Sequence, residues 1–238
     1  MTVRKIYLSP SNQPANRYAV GNTNEKVEME ALAKNIKDIL DEKYDCEAVL
    51  ATIPLSINID GRPSEAKEKG CDFYFAIHSN AGGAGKASGA TAFFQKDFDE
   101  SKDLARNIVR ELNNICPIQS NRYSPLIDGM TPYKGKGLAE IRNPLRLGIP
   151  AVLVEVDFHD NPKTARWIID NKSAIARACV KALVETFAIP EKIGEAESQQ
   201  PIKQYYRIQA GAYSHKENAE AMVNRLKAAG FDAFIKYY

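Results

Sequence analysis

Apolar residues along the chain fall into two rhythms. Nearly continuous runs at 5–9, 47–53, 71–78, 89–95 and 151–156 read as strands. The runs CDFYFAIH and AVLVEV leave no wet face, so they predict central strands covered on both sides. Between them, Val27, Met29, Leu32, Ile36, Ile39 and Leu40 recur at close to helical spacing and predict a helix over 25–40. Similar spacing predicts helices at 101–115, 164–169 and 173–187, with a short polar helix at 64–69 and a further short strand at 138–142. Strands alternating with helices imply an α/β domain. We expect a mostly parallel twisted sheet with helices on both faces.

After Ile189 the pattern breaks. PEKIGEAESQQPIKQ has almost no apolar residues and reads as a solvated linker. YYRIQAGAYS, KENAEAMVNRLKAAG and FDAFIKYY then make one small C-terminal β-α-β unit. The expected organisation is a main α/β domain over 1–189, a linker over 190–204 and the small unit over 205–238.

Composition narrows the partners. Lys plus Arg is 32 against 30 for Asp plus Glu, a formal charge of +2, and no long basic run exists, so no nucleic acid partner is expected. No apolar run approaches the ~18 residues of a membrane span, so no membrane partner is expected either. The four cysteines stand far apart in no metal-binding spacing and are expected to be reduced. MTVRKIYLSPSNQ reads as a first strand rather than a signal peptide, which implies synthesis in the cytoplasm without an export signal.

The candidate chemistry gathers at strand ends. Ligands of open α/β sheets bind outside the carboxyl ends of parallel strands. His78 ends one predicted strand, Glu155 ends another, the SPSNQ turn follows the first, and Glu25 opens the first long helix. An imidazole and a carboxylate meeting at such a rim suit a zinc-type cation, and a second carboxylate nearby suits a general base. A carboxylate inside PAVLVEV is costly to bury without a partner, which marks Glu155 for function. From the residues alone the site is metal-binding or acid–base.

RPSEAKEKGCDFYFAIHSNA followed by GIPAVLVEVDFHDNP resembles the zinc-dependent N-acetylmuramoyl-L-alanine amidases of the type-3 family. Arg62 stands where that family has an Arg ahead of its S-I-H-x-N-A motif, here Ile77-His78-Ser79-Asn80-Ala81. Pro150 to Glu155, Phe158 and Asn161 match its P-A-V-L-V-E-x-G-F-x-x-N motif, and Glu25 fits its metal-binding Glu. The resemblance covers roughly residues 5–189. It implies a peptidoglycan hydrolase, with Zn2+ as cofactor, that cleaves the amide between N-acetylmuramic acid and L-alanine. In it Glu25 and His78 bind metal and Glu155 moves the proton from water to the leaving amine. Asn80 and Arg142 are placed by position to steady the developing oxyanion.

One departure stands out. The family takes its first ligand from a G-H-G turn, but this chain has Ser9-Pro10-Ser11-Asn12-Gln13 and only three histidines. The third ligand is then an amide oxygen of Gln13 or Asn12, or His159, or nothing. His159 lies four residues after Glu155 and, in an extended chain, shares its face; it is otherwise a substrate-binding candidate. The turn, with EVDFHDNP, resembles a clostridial and phage-borne endolysin-like subgroup. The alternative is a catalytically inactive wall-binding protein that keeps the fold. Tyr206 to Tyr213 and Asn218 to Phe231 resemble half of a SPOR domain, a glycan-binding module. One half leaves unpaired sheet edges, so we expect a homodimer through residues 205–238. The expected setting is the cell wall, reached after holin-type release or mother-cell lysis.

Overall fold

The computed structural model describes residues 3–192, 211–231 and 233–235. These form two compact units, residues 1–192 and 193–238. In the first, the elements run β1 (Arg4–Pro10), α1 (Glu25–Lys43), β2 (Cys46–Leu50), α2 (Arg62–Glu68), β3 (Phe73–Asn80), β4 (Thr91–Phe94), α3 (Asp99–Ile115), β5 (Leu126–Asp128), α4 (Pro132–Gly135), α5 (Ala139–Arg146), β6 (Ala151–Phe158), α6 (Pro162–Asp170) and α7 (Lys172–Phe187). The second unit holds α8 (Lys216–Ala228). The expected strands flanking α8 fall largely outside the described residues.

The sheet has six strands in the order β2-β1-β3-β6-β4-β5. β2, β1, β3 and β6 run parallel, and β4 pairs antiparallel with β6. The mostly parallel α/β architecture is therefore the one expected. Its two faces differ. Ile6, Leu8, Phe73, Phe75, Ile77, Val152 and Val154 pack with α1, α3, α6 and α7 in the larger core. Their alternates Tyr7, Tyr74, Ala76, Ala151 and Leu153 pack with Ala66 of α2 and Ile141 of α5 in a smaller one. Because successive side chains in a strand point to opposite faces, that alternation also decides where the polar residues go.

Two expectations need correcting. Residues 138–142 are not a strand: α5 spans Ala139–Arg146, preceded by Leu138 in extended conformation. Five residues are too few for periodicity to separate strand from helix; Ile141, with Leu138 packed beside it, anchors the segment in the small core. The strand beginning at Ala151 runs on to Phe158, so Glu155 lies within it rather than at its end. Cys46, Cys71, Cys116 and Cys179 are free thiols, as expected. Among the described residues no helix is long and apolar enough to cross a membrane.

Candidate active site

Continuing the strand alternation past the small core brings Ser9, His78 and Glu155 to one face near the carboxyl ends of β1, β3 and β6. His78 and Glu155 are register partners on adjacent parallel strands. Glu25 reaches the same place from the opposite layer, because it opens α1 at the sheet's rim. Asn24 caps that helix, its side chain accepting from Val27 N at 3.1 Å. Asn16 Nδ2 donates to Glu25 Oε2 at 2.6 Å, and Ser79 N donates to Oε1 at 3.2 Å. Glu25 is thereby fixed while buried.

His78 is held between two carboxylates. Its Nδ1 lies 3.1 Å from Glu25 Oε1 and its Nε2 lies 2.6 Å from Glu140 Oε2. Gln13 Nε2 is 3.4 Å from Nδ1. Burial alone disfavours the imidazolium, but Glu140 and Glu25 outweigh it and hold the His78 pKa well above the ordinary histidine value. Burial pushes Glu25 and Glu140 up, and bonds to His78 bring both below the usual carboxylate value. Glu155 is left out of this pairing. Burial is the main cause raising its pKa to about 8, with Glu25 and Glu140 adding to it and His78 opposing. Its Oε2 is buried with no hydrogen-bond partner.

Does this donor set suit a cation? Among the described residues no three His, Cys, Asp or Glu side chains stand as a ready metal cage. The reason is that Glu25 and Glu140 address opposite nitrogens of one ring. Glu25 Oε1 and a neutral His78 Nδ1 are both acceptors, so their 3.1 Å approach requires a proton or a cation between them. Three carboxylates around one imidazole, one of them with an orphaned oxygen, leave excess negative charge that a divalent cation relieves. The Gln13 amide, turned over at the cost of the 3.1 Å bond its oxygen accepts from Asn16 Nδ2, brings an oxygen to the same side. The residues fit a cation held by two strong donors and one weak one.

The other predicted residues separate. Gln13, rather than Asn12, is the amide beside His78. His159 is buried and points elsewhere: its Nδ1 meets Ser79 Oγ at 3.0 Å, and its ring stacks on Tyr18 at 5.2 Å. The chain after Phe158 leaves the strand, so the extended alternation that brought His159 to Glu155's face does not hold. Asn80 Oδ1 accepts from Ala81 N at 2.8 Å. Arg142 turns to the α4 loop, donating to Lys136 O at 3.0 Å and Gly137 O at 3.1 Å. It lines a cleft of about 430 Å³ with Tyr133, Lys134 and Lys136. Arg62, fully buried, donates to Ser9 Oγ at 3.0 Å and Pro10 O at 2.6 Å. Glu140 was missed in the sequence; the one available signal was an acidic residue beside an apolar one in LAEIRN.

A parallel-strand rim carrying imidazole and carboxylates defines a hydrolytic metal or acid–base site. The family model for N-acetylmuramoyl-L-alanine amidase matches residues 6–185, and that for the SPOR domain matches 193–238. The chain belongs to this amidase family. It is similar to the sporulation-specific N-acetylmuramoyl-L-alanine amidase of Bacillus subtilis (strain 168), 23% identical over 237 residues, 97% of this chain and 84% of that protein. It is also 25% identical over 238 residues to the amidase CwlM of Bacillus licheniformis, covering 98% of this chain and 85% of that one. The crystal structure of an N-acetylmuramoyl-L-alanine amidase from Clostridium difficile 630 shares the fold, with a TM-score of 0.66 and 19% identity over 79% of this chain and 98% of that chain. Amidases of this type are generally zinc-dependent.

Proposed function

We propose that this protein is a peptidoglycan amidase that hydrolyses the bond between the lactyl group of N-acetylmuramic acid and L-alanine. The observation that carries it is the convergence of Glu25, His78 and Glu155 at one rim of a chain belonging to the amidase family. His78 through Nδ1, Glu25 through Oε1 and Gln13 through its amide oxygen are the residues to hold zinc. When bound, zinc supplies a Lewis acid for the scissile carbonyl and for water.

The chain's own residues do the rest. Glu155 takes a proton from the attacking water at its unpartnered Oε2. It returns that proton to the alanine nitrogen as the C–N bond breaks and the C–O bond forms. Asn80, its Oδ1 occupied by Ala81 N, has its amide nitrogen available for the substrate carbonyl. Arg142 lies with Lys134 and Lys136 at a separate basic cleft, which favours an anionic part of the wall polymer over the reacting carbonyl.

The SPOR match supports glycan binding by the tail. We keep the homodimer through residues 205–238 as part of the same reading, since one β-α-β half leaves open edges. The sporulation-specific relative favours wall digestion at mother-cell lysis over holin-type release. Digestion of purified peptidoglycan with and without chelator tests the reading. New amino-terminal L-alanine released only without chelator is expected; new reducing sugar ends or cross-bridge amines instead would overturn it.

A further inference from the structure

Glu140 is among the least accessible carboxylates of the described chain, at 2% exposure, and burying a charge there needs a reason. Its oxygens are divided. Oε1 accepts from Ser9 Oγ and from Tyr74 OH, the latter at 3.1 Å. Oε2 is committed to His78 Nε2 at 2.6 Å. The single Tyr74 hydroxyl proton is shared between Glu140 Oε1 and Ser9 Oγ, 2.9 Å away, and Ser9 Oγ also accepts from the fully buried Arg62 guanidinium at 3.0 Å. Arg62 is pinned by Pro10 O and Leu55 O. A carboxylate present only to balance Arg62 would pair with it directly. Here a serine stands between them, and the oxygen left over faces the imidazole.

An ionised carboxylate only accepts, so Nε2 carries the hydrogen in this contact. Nδ1 is then the nitrogen that can give up its proton to Glu25 and offer a lone pair to a cation, and it faces Glu25 and Gln13. Metal-binding histidines generally donate their second ring N–H to such a partner, which fixes tautomer and ring orientation. Glu140 cannot join the same ion as Glu25, because the ring lies between them.

We propose that Glu140 is a positioning residue: by accepting the Nε2–H of His78 it holds Nδ1 toward Glu25 and Gln13 as the zinc-binding nitrogen. Ser9, Tyr74 and Arg62 hold Glu140 in turn. This rests on the zinc site proposed above but does not depend on the substrate.

The test uses the full chain with 15N-labelled histidine, wild type and Glu140→Gln, loaded with zinc. Wild type should show His78 with zinc on Nδ1 and a slowly exchanging, hydrogen-bonded Nε2–H. Glu140→Gln should lose that protected proton and bind zinc roughly 10–100-fold more weakly in chelator competition, the usual cost of removing an outer-shell partner. Glu140→Asp should recover part of the affinity. Should Glu140→Gln fail to fold, Ser9→Ala decides: it touches neither ring nor ion, and weaker zinc binding supports the proposal while unchanged binding overturns it. Zinc on Nε2, or unchanged affinity with an unchanged Nε2–H in folded Glu140→Gln, overturns it, as does a wild type that binds no zinc. A protein that shows the expected zinc and proton signatures but cuts no peptidoglycan loses the amidase reading and keeps this one.

Discussion

His78 and Glu155 face each other as register partners on β3 and β6, yet they are not paired chemically. His78 gives both ring nitrogens to Glu25 and Glu140, and Glu155 keeps an oxygen with no partner. That division separates the group suited to hold a cation from the group suited to move a proton.

Replacing Glu155 by Gln should lower turnover by ~10²–10⁴-fold, the range for a lost general base. Folding should survive, and stability supplies a second signature. The folded-state pKa is raised from 4.5 to about 8, so the wild-type contribution is fully present below about 4.5 and lost as pH rises toward 8. In chelator-treated protein, melts of wild type and Glu155→Gln should coincide near pH 4.5 and diverge by pH 8, with the variant more stable. A variant less stable at pH 8 would show Glu155 to be a structural anchor.

Metal content should follow the donors. His78→Ala and Glu25→Ala should abolish tight zinc binding, and Gln13→Ala should weaken it modestly, because an amide oxygen is a poorer zinc ligand than imidazole. His159→Ala should leave zinc bound, since its Nδ1 is engaged with Ser79. Zinc analysis after dialysis distinguishes these; loss in His159→Ala but not in Gln13→Ala would exchange the two roles.

Glu65 should show the opposite pH sign. Burial raises its pKa, but Lys69, Thr52 and Tyr7 outweigh burial and bring it down to about 2. Its contribution is present above the ordinary value of 4.5 and lost as pH falls toward 2. Glu65→Gln should be destabilised at pH 7 by ~1–3 kcal/mol, the cost of breaking a buried hydrogen-bond set. The gap from wild type should shrink in acid, as thermal melts at pH 7 and pH 3 will show.

Removing the residues after Lys192 should leave the catalytic unit folded, because the larger and smaller cores both lie before that point. Wall binding in a pelleting assay should fall. Light scattering of the full chain should give a dimer, and the truncated chain a monomer. A monomeric full chain at micromolar concentration would refute the dimer, and unchanged pelleting would refute targeting by the tail.

The sequence by itself determined five of the six strands of the sheet, missing the three-residue β5, and most of the helices. Continuous apolar runs such as FYFAIH and AVLVEV fit only strands covered on both faces, and amphipathic spacing marked α1, α3 and α7. It also brought Glu25, His78 and Glu155 to one rim, since strand direction gathers parallel carboxyl ends there, although β6 runs three residues past Glu155. Only the tertiary structure decided the partners. Glu140 lies sixty-two residues from His78 and on a helix too short to announce itself, so nothing local linked them. His159 was assigned by a two-residue alternation that stops at Phe158, where the backbone leaves the strand. Arg142 follows Glu140 by two positions on a helix, which turns its side chain to another face. Periodicity along a chain dictates which face a residue occupies. Which nitrogen meets which carboxylate depends on layers brought together from distant segments, and that is a property of packing.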